Sequence, residues 1–305
     1  NFDKKGKKNL NFNGLYKANN KSLQKFNFKN DISNTQKISI DGDTDNELIF
    51  PLINYDTKNQ ITNIKSDFEI GKNSIKVNDL LLKEGKSEIF LNNLLIKDKK
   101  LSRFNMIKVK TFNKDDELNN DFMIDFSEKL KIYGSKYDAS NLTNAFDNNK
   151  SNNFFNNLNT DISIKIDEIN SKVSNQLSNF NLVGSISKGK FDKIVSKGEF
   201  DQNKYLEISL REDKVSKMKI LEVYSDLPKP LLSNYKFFDG LSGGNLLLNS
   251  YYNSQISNSQ LVIENFRVKN APNFVKLLSL ADFGGMADAL SGEGLSFERL
   301  EMKME

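Results

Sequence analysis

The stretch DISIKID, residues 161–167, decides how this chain is read. Ile162, Ile164 and Ile166 fall at every second position, with Ser163 and Lys165 between them. Successive side chains of a strand point to opposite faces, so this spacing predicts a strand that is aliphatic on one face and polar on the other. YLEISLRE (205–212) repeats the rhythm, with Leu206, Ile208 and Leu210 set against Glu207, Ser209 and Arg211. NLLLNS (245–250) and QLVIENFRV (260–268) carry it on through Leu246, Leu248, Leu261 and Ile263. Upstream, residues 73–100 and 103–113 read as further strands, broken at Gly85, Lys86 and the KDKK turn. One-sided alternation of this kind predicts antiparallel sheet with one face sheltered and the other wet.

Composition points the same way. The chain has 305 residues, enough for one large domain or two of ordinary size, yet only 37% are hydrophobic. A rounded protein of this length needs a thick core, whereas an elongated one-layer sheet needs fewer apolar residues per strand. The 23 Phe and many Ile and Leu argue for order rather than disorder. The net charge of +4 is the small difference between 44 basic and 40 acidic residues. KKGKK (4–8) is the one tight basic run, and without an aromatic platform beside it no nucleic-acid partner is expected. There is no Cys and no His, which removes disulfides, thiolate metal sites and the commonest general base. No apolar run approaches the ~20 residues of a membrane-spanning helix. A first residue of Asn and a strand rhythm that runs to the end lead us to expect an internal piece of a longer chain.

Two motifs invite a chemical reading. GLSGG (240–244) matches a nucleophile elbow, but a serine there needs a base and the chain has no His, so a glycine turn is the expectation. DGDTDNE (41–47) alternates acids like the start of a calcium loop. Asn46 and Leu52 stand where such a loop needs Gly and Glu, so a solvated acidic turn is expected. No catalytic residue, metal ligand or cofactor site is expected. KYDASNLTNAF (136–146) reads as a short helix with Asp138 or Ser140 as its cap, and DNNKSNNFFNN (147–157) as a low-complexity loop.

Residues 270–300 differ from the rest. Asn270 is placed to cap a helix with Pro272 in its first turn, and Phe274, Leu277, Leu278 and Ala281 share one face. Gly284 and Gly285 break it, and Met286, Ala289 and Leu290 make a second short apolar face. A helical hairpin over about 271–291 is expected, followed by a strand with Phe297, Leu300, Met302 and Met304.

Here the sequence resembles a known family. LVIENFRVKNAPNFVKLLSLADFGGMADALSGEGLSFERLEMKM looks like the AsmA-like C-terminal region of the YhdP branch of the AsmA/TamB superfamily. The resemblance rests on Phe266, Arg267, Val268, Asn270, Ala271, Pro272, Leu277, Leu278 and Ser279. Gly285, Asp288, Leu290, Gly292, Glu293, Gly294 and Phe297 extend it. Where the family often has Asp-Ala-Gly, this chain has Asp226, Leu227 and Pro228. The likeness covers about residues 131–305, incomplete at its end, and leaves 1–130 as a β-meander segment. It implies an inner-membrane-anchored, mostly periplasmic protein of the Gram-negative envelope, with no enzymatic activity. It further implies a long, folded-over antiparallel β-sheet groove associated with phospholipid passage towards the outer membrane. Phospholipids, the membrane and other envelope proteins are then the expected partners.

On this reading the groove candidates are Ile162, Ile164, Ile166, Leu206, Ile208, Leu210, Leu246, Leu248, Leu261 and Ile263. The helical cap candidates are Phe274, Leu277, Leu278, Met286 and Leu290. The hairpin either plugs one end of the groove or meets membrane or partner, or else it simply covers a sheet edge. The rival to a conduit is a structural or assembly protein whose apolar face is a closed core. A glycan-binding β-protein ranks last, because Trp is absent.

Overall fold

A computed structural model describes residues 8–17, 22–32, 36–57, 60–142, 155–172, 176–200, 203–233, 235–269 and 294–305. The fold is mainly β: one large, mostly antiparallel sheet of 18 strands, not closed into a barrel, accompanied by a two-stranded hairpin. The expected helical hairpin and its candidates Phe274, Leu277, Leu278, Met286 and Leu290 lie outside the described residues.

The chain forms two compact units, 1–166 with 186–190, and 167–185 with 191–305. Residue 131, where the resemblance begins, lies in a strand inside the first unit. The main strands of that unit are β1 (Lys8–Tyr16), β2 (Gln24–Ile32), β3 (Gln36–Thr44), β6 (Thr62–Ile70), β7 (Ser74–Glu84), β8 (Ser87–Lys97), β10 (Met106–Phe112), β11 (Leu118–Asp125) and β12 (Leu130–Asp138). They pair antiparallel in that order, each with the next, as a meander. Short β9 (Lys100–Arg103) pairs with the last residues of β8, on the edge that β10 uses further along. Between β3 and β6 lies a small hairpin, β4 (Ile49–Phe50) and β5 (Tyr55–Asp56), joined by a 3-10 turn at Pro51–Ile53.

After β13 (Thr160–Asn170) and β14 (Leu177–Ser187), the second unit continues as β15 (Lys190–Phe200), β16 (Lys204–Glu212), β17 (Lys219–Ser225), β18 (Leu241–Tyr252), β19 (Ser257–Val268) and β20 (Leu295–Met304). From β15 to β20 each strand again pairs antiparallel with the next. One short helix, α1 (Pro228–Leu232), stands between β17 and β18.

Asp138 closes β12 and accepts from the Ser140 N–H at 3.0 Å, a capping contact, while residues 143–146 of the expected short helix lie outside the described residues. Two expectations change. Asp41 and Asp43 belong to β3, not to a turn, because Ile38, Ile40 and Gly42 keep that strand's other face paired. In GLSGG only Gly240 is in the turn, and Gly243 and Gly244 sit inside β18 with φ of +66° and +81°.

Candidate functional site

Registers in the first unit line up the apolar positions of nine strands. Phe12, Phe28, Ile40, Ser66, Leu80, Leu91, Ile107, Ile124 and Ile132 are each directly opposite the next. Eight of these nine residues are apolar. A parallel row runs two residues along: Gly14, Phe26, Gly42, Ile64, Leu82, Ile89, Val109, Phe122 and Gly134. Every member of it is apolar or glycine. Period-two alternation thus converts scattered single Ile, Leu and Phe into one unbroken apolar face.

The opposite face is charged and self-compensating. One row reads Asp43, Asn63, Lys83, Glu88, Lys110, Asp121 and Lys136, with the charged members alternating in sign from Lys83 onward. Lys83–Glu88 at 3.0 Å and Lys110–Asp121 at 3.4 Å are direct cross-strand ion pairs, and Lys65–Asp41 at 3.3 Å is another. Asn63 holds Asp43 at 2.8 Å, so the acids singled out as a calcium motif are bound to neighbours on the sheet. No group of metal-ligating side chains occurs among the described residues. Such exposed pairs stabilise by at most about 1 kcal/mol each; their effect is to set register and keep this face wet.

The apolar face is only partly sheltered. Val109, Phe122 and Ile38 are buried, but Phe12 is 51% exposed, Leu10 47% and Ile75 42%. A closed core would not leave large side chains of one continuous face in that state.

One margin of the face is polar and covered. The next position outward on successive strands is Gln24, Thr44, Thr62, Glu84, Ser87, Thr111 and Asn120, all buried. Residues 45–57, which carry the β4–β5 hairpin, fold over this row as a strap. Asn120 donates to the Ile53 carbonyl at 2.7 Å and Asn119 to the Asn54 carbonyl at 3.2 Å. Tyr137 donates to the Leu52 carbonyl at 2.7 Å, and Asn54 to Asp138 at 2.9 Å. Tyr55, stacked on Phe50, donates to Glu84. Asn54 turns the strap at φ +45°, a left-handed conformation that Asn tolerates better than most residues. Burial, and then the Glu84 hydrogen bond, push the Tyr55 phenol well above its ordinary range. Burial and the Asp138 charge push Tyr137 up to about 12.

The second unit is more filled. Leu246, Leu261, Ile263, Phe266 and Val268 form a core with Leu232 and Leu241, and Leu231, Phe237, Phe238 and Leu248 pack against it. Phe266 stacks on Phe297 with centroids 5.2 Å apart. Ile263 and Phe266 enter this same core although three residues apart, so the alternation changes phase between them. Asn265 at φ +53°, level with Gly244 at φ +81°, makes the change. A Cβ on Gly244 would lie 2.6 Å from the Glu264 carbonyl oxygen, which is why glycine is needed there.

Of the ten sequence-derived candidates, Ile162, Ile166, Leu206, Leu210, Leu246, Leu261 and Ile263 are buried, while Ile164, Ile208 and Leu248 are half-buried. Leu206, Ile208 and Leu210 share one face with Val223 and Leu248 through direct register. Sequence reasoning missed two things. Alternation in residues 10–132 signalled the more open apolar face, but only register shows that it is continuous. Leu231, Leu232, Phe237 and Phe238 belong to the second unit's core from a segment in which no core residue was singled out.

No family model, no curated protein and no solved structure matches the chain.

Proposed function

We propose that this chain is a periplasmic segment of an inner-membrane-anchored AsmA-like protein, whose apolar sheet face forms a groove that carries phospholipid between the inner and outer membranes. The observation that carries this reading is the pair of transverse rows, nine strands wide, apolar on one face and charged on the other. A diacyl lipid leaving a bilayer exposes its chains at ~0.8 kcal/mol per CH₂, on the order of 20 kcal/mol in all. A continuous apolar face lowers that cost at every step from strand to strand, and it does so without a catalytic group or cofactor. The face is also wide enough. From Ile75 to Leu82 the strand runs about 23 Å at ~3.3 Å per residue, against ~15 Å for the hydrocarbon of one leaflet.

The test is mass spectrometry of organic extracts from the full chain purified without detergent. Phospholipid in stoichiometric excess over a matched soluble control is the expected result, and Ile40→Asp with Leu91→Asp, in the middle of the face, should abolish it. A folded wild-type chain that carries no lipid would overturn the reading. The alternative, a structural or assembly β-protein of the envelope with a closed core, draws on the filled second unit. Lipid bound to the first unit alone would assign each reading to its part of the chain.

A further inference from the structure

The second unit carries an apolar depression on the face opposite to its core. Lys197, Glu207, Tyr224, Leu247 and Val262 are directly opposite one another in turn across β15 to β19. Val195 and Ser209 pair directly two residues further along β15 and β16, on the same face. Ile194, Leu206 and Leu246, their neighbours in sequence, point the other way and are buried in the core. Val183 of β14, Val195, Tyr224 and Leu247 together line a depression of about 530 Å³. These four side chains are 59%, 54%, 36% and 40% exposed. Val215, Tyr235 and Ile256, also exposed, stand in loops and line no part of it.

Three observations say what fits there. The polar groups of the rim already satisfy one another. Lys197 pairs with Glu207 at 3.0 Å and Arg211 with Glu222 at 3.6 Å, and the Ser209 hydroxyl donates to Glu222 at 3.2 Å. Asn181 donates to the Asn179 carbonyl at 2.8 Å, and the Tyr224 hydroxyl to Asp226. An uncharged hydrocarbon is the complement of such a site, because a charged or polar group entering it would give up water for no free partner. The volume is that of a small-ligand pocket, whereas a stable protein interface takes roughly 20–30 residues a side. The length also fits. Val195 and Leu247 are three strand spacings apart, about 14 Å at ~4.8 Å each, against ~15 Å for the hydrocarbon of one leaflet.

The geometry points to an acyl-chain site: one chain of a membrane phospholipid lies across β15 to β18, over Val195, Tyr224 and Leu247, with Val183 beside it. This rests on the lipid-carrying reading above and adds to it a second apolar contact. The contact belongs to the unit whose core is filled, and to the face of that unit that alternation assigned to water. It holds the chain by burial alone and therefore selects for hydrocarbon rather than for a headgroup.

The experiment offers the full chain phosphatidylcholine vesicles in which one acyl chain carries a photoactivatable diazirine near its methyl end. After illumination, adducts are mapped to peptides by mass spectrometry. Adducts are expected on the peptides of Val183, Val195, Tyr224 and Leu247 as well as on the first unit's apolar face. Val195→Glu with Leu247→Glu should lower the second-unit adducts by about tenfold and leave those of the first unit unchanged. Both positions are more than a third exposed, so the wild-type urea midpoint should be kept. If that variant does not fold, Val195→Thr alone carries the same test with a smaller loss. Val215→Glu with Ile256→Glu makes the same charge change in loops and should leave every adduct in place. Adducts confined to the first unit, or second-unit adducts that survive Val195→Glu with Leu247→Glu, overturn the site while the lipid-carrying reading stands. No adduct anywhere overturns both. A dimer seen by sedimentation that the same variant dissolves, with no adduct at the depression, would make this a contact between two copies and overturn the acyl-chain assignment.

Discussion

Replacing Asn120 with Ala should loosen the strap and destabilise the first unit by about 4 kcal/mol. Asn120 is wholly buried, and its amide makes three hydrogen bonds. It donates to the Ile53 carbonyl at 2.7 Å and to the Thr111 hydroxyl at 2.8 Å, and accepts from the Asp138 N–H at 2.9 Å. Each bond contributes roughly 1 kcal/mol net, and a buried partner left without one costs ~1–3 kcal/mol. The Ile53 carbonyl and the Asp138 N–H would both be orphaned, which raises the sum from about 3 to about 4 kcal/mol. The strap's own share, the Ile53 bond and its orphaned carbonyl, is about 2 kcal/mol, so local opening of the strap should become roughly thirtyfold easier. Hydrogen exchange of residues 48–57, followed by mass spectrometry, reads this directly, and urea unfolding reports the unit as a whole. Asn63→Ala is the control: it makes a comparable set of contacts to Asp41, Gly42 and Asp43, but on the wet face. Water replaces those bonds, so less than about 1 kcal/mol should be lost. If Asn120→Ala costs no more than Asn63→Ala and the strap's exchange is unchanged, the buried row is not what holds the strap.

Ile263→Ala should cost about 3–4 kcal/mol in urea unfolding of the second unit, since Ile263 is 0% exposed in a core with little room to collapse. A loss under about 1 kcal/mol would mean that this core is open. Gly134→Ala should cost more than about 2 kcal/mol, because the new Cβ would lie 2.3 Å from the Asp121 carbonyl oxygen and 2.4 Å from the Phe122 Cα, both backbone. Normal thermal stability in that variant would show that the β11–β12 bulge can shift freely. Tyr55 and Tyr137 both have folded pKa values above the unfolded value near 10, Tyr137 at about 12. The unfolded chain therefore loses these protons first, so the stability they lend is complete below pH 10 and falls as pH rises from 10 through 12. Urea midpoints measured across that window should decline, and Tyr137→Phe should decline less steeply; a flat profile would refute the burial of these phenols.

How far the sequence carried depends on what kind of physical information each feature needs. Strand identity was local. DISIKID, YLEISLRE and the run from Asn73 to Lys100 alternate with period two, and they form β13, β16, β7 and β8 with turns at Gly85–Lys86 and Asp98–Lys99. The charged outer face was legible for the same reason, since Lys and Glu cannot be buried unpaired. The exceptions arose where neighbours overrode local pattern. Asp41 and Asp43 resembled a loop until β6 supplied Asn63 and Lys65 beside them. Asn265 interrupts its strand's alternation, and nothing local says that Ile263 and Phe266 must meet in one core.

By itself, then, the sequence determined a mainly antiparallel β-protein with one apolar and one wet face, because side-chain alternation is a property of each strand alone. Tertiary structure decided the rest: that nine strands align their apolar positions into one face, and that residues 45–57 close one margin of it. Register and burial depend on pairing between residues that are distant in the chain. No period or motif within a single strand encodes them.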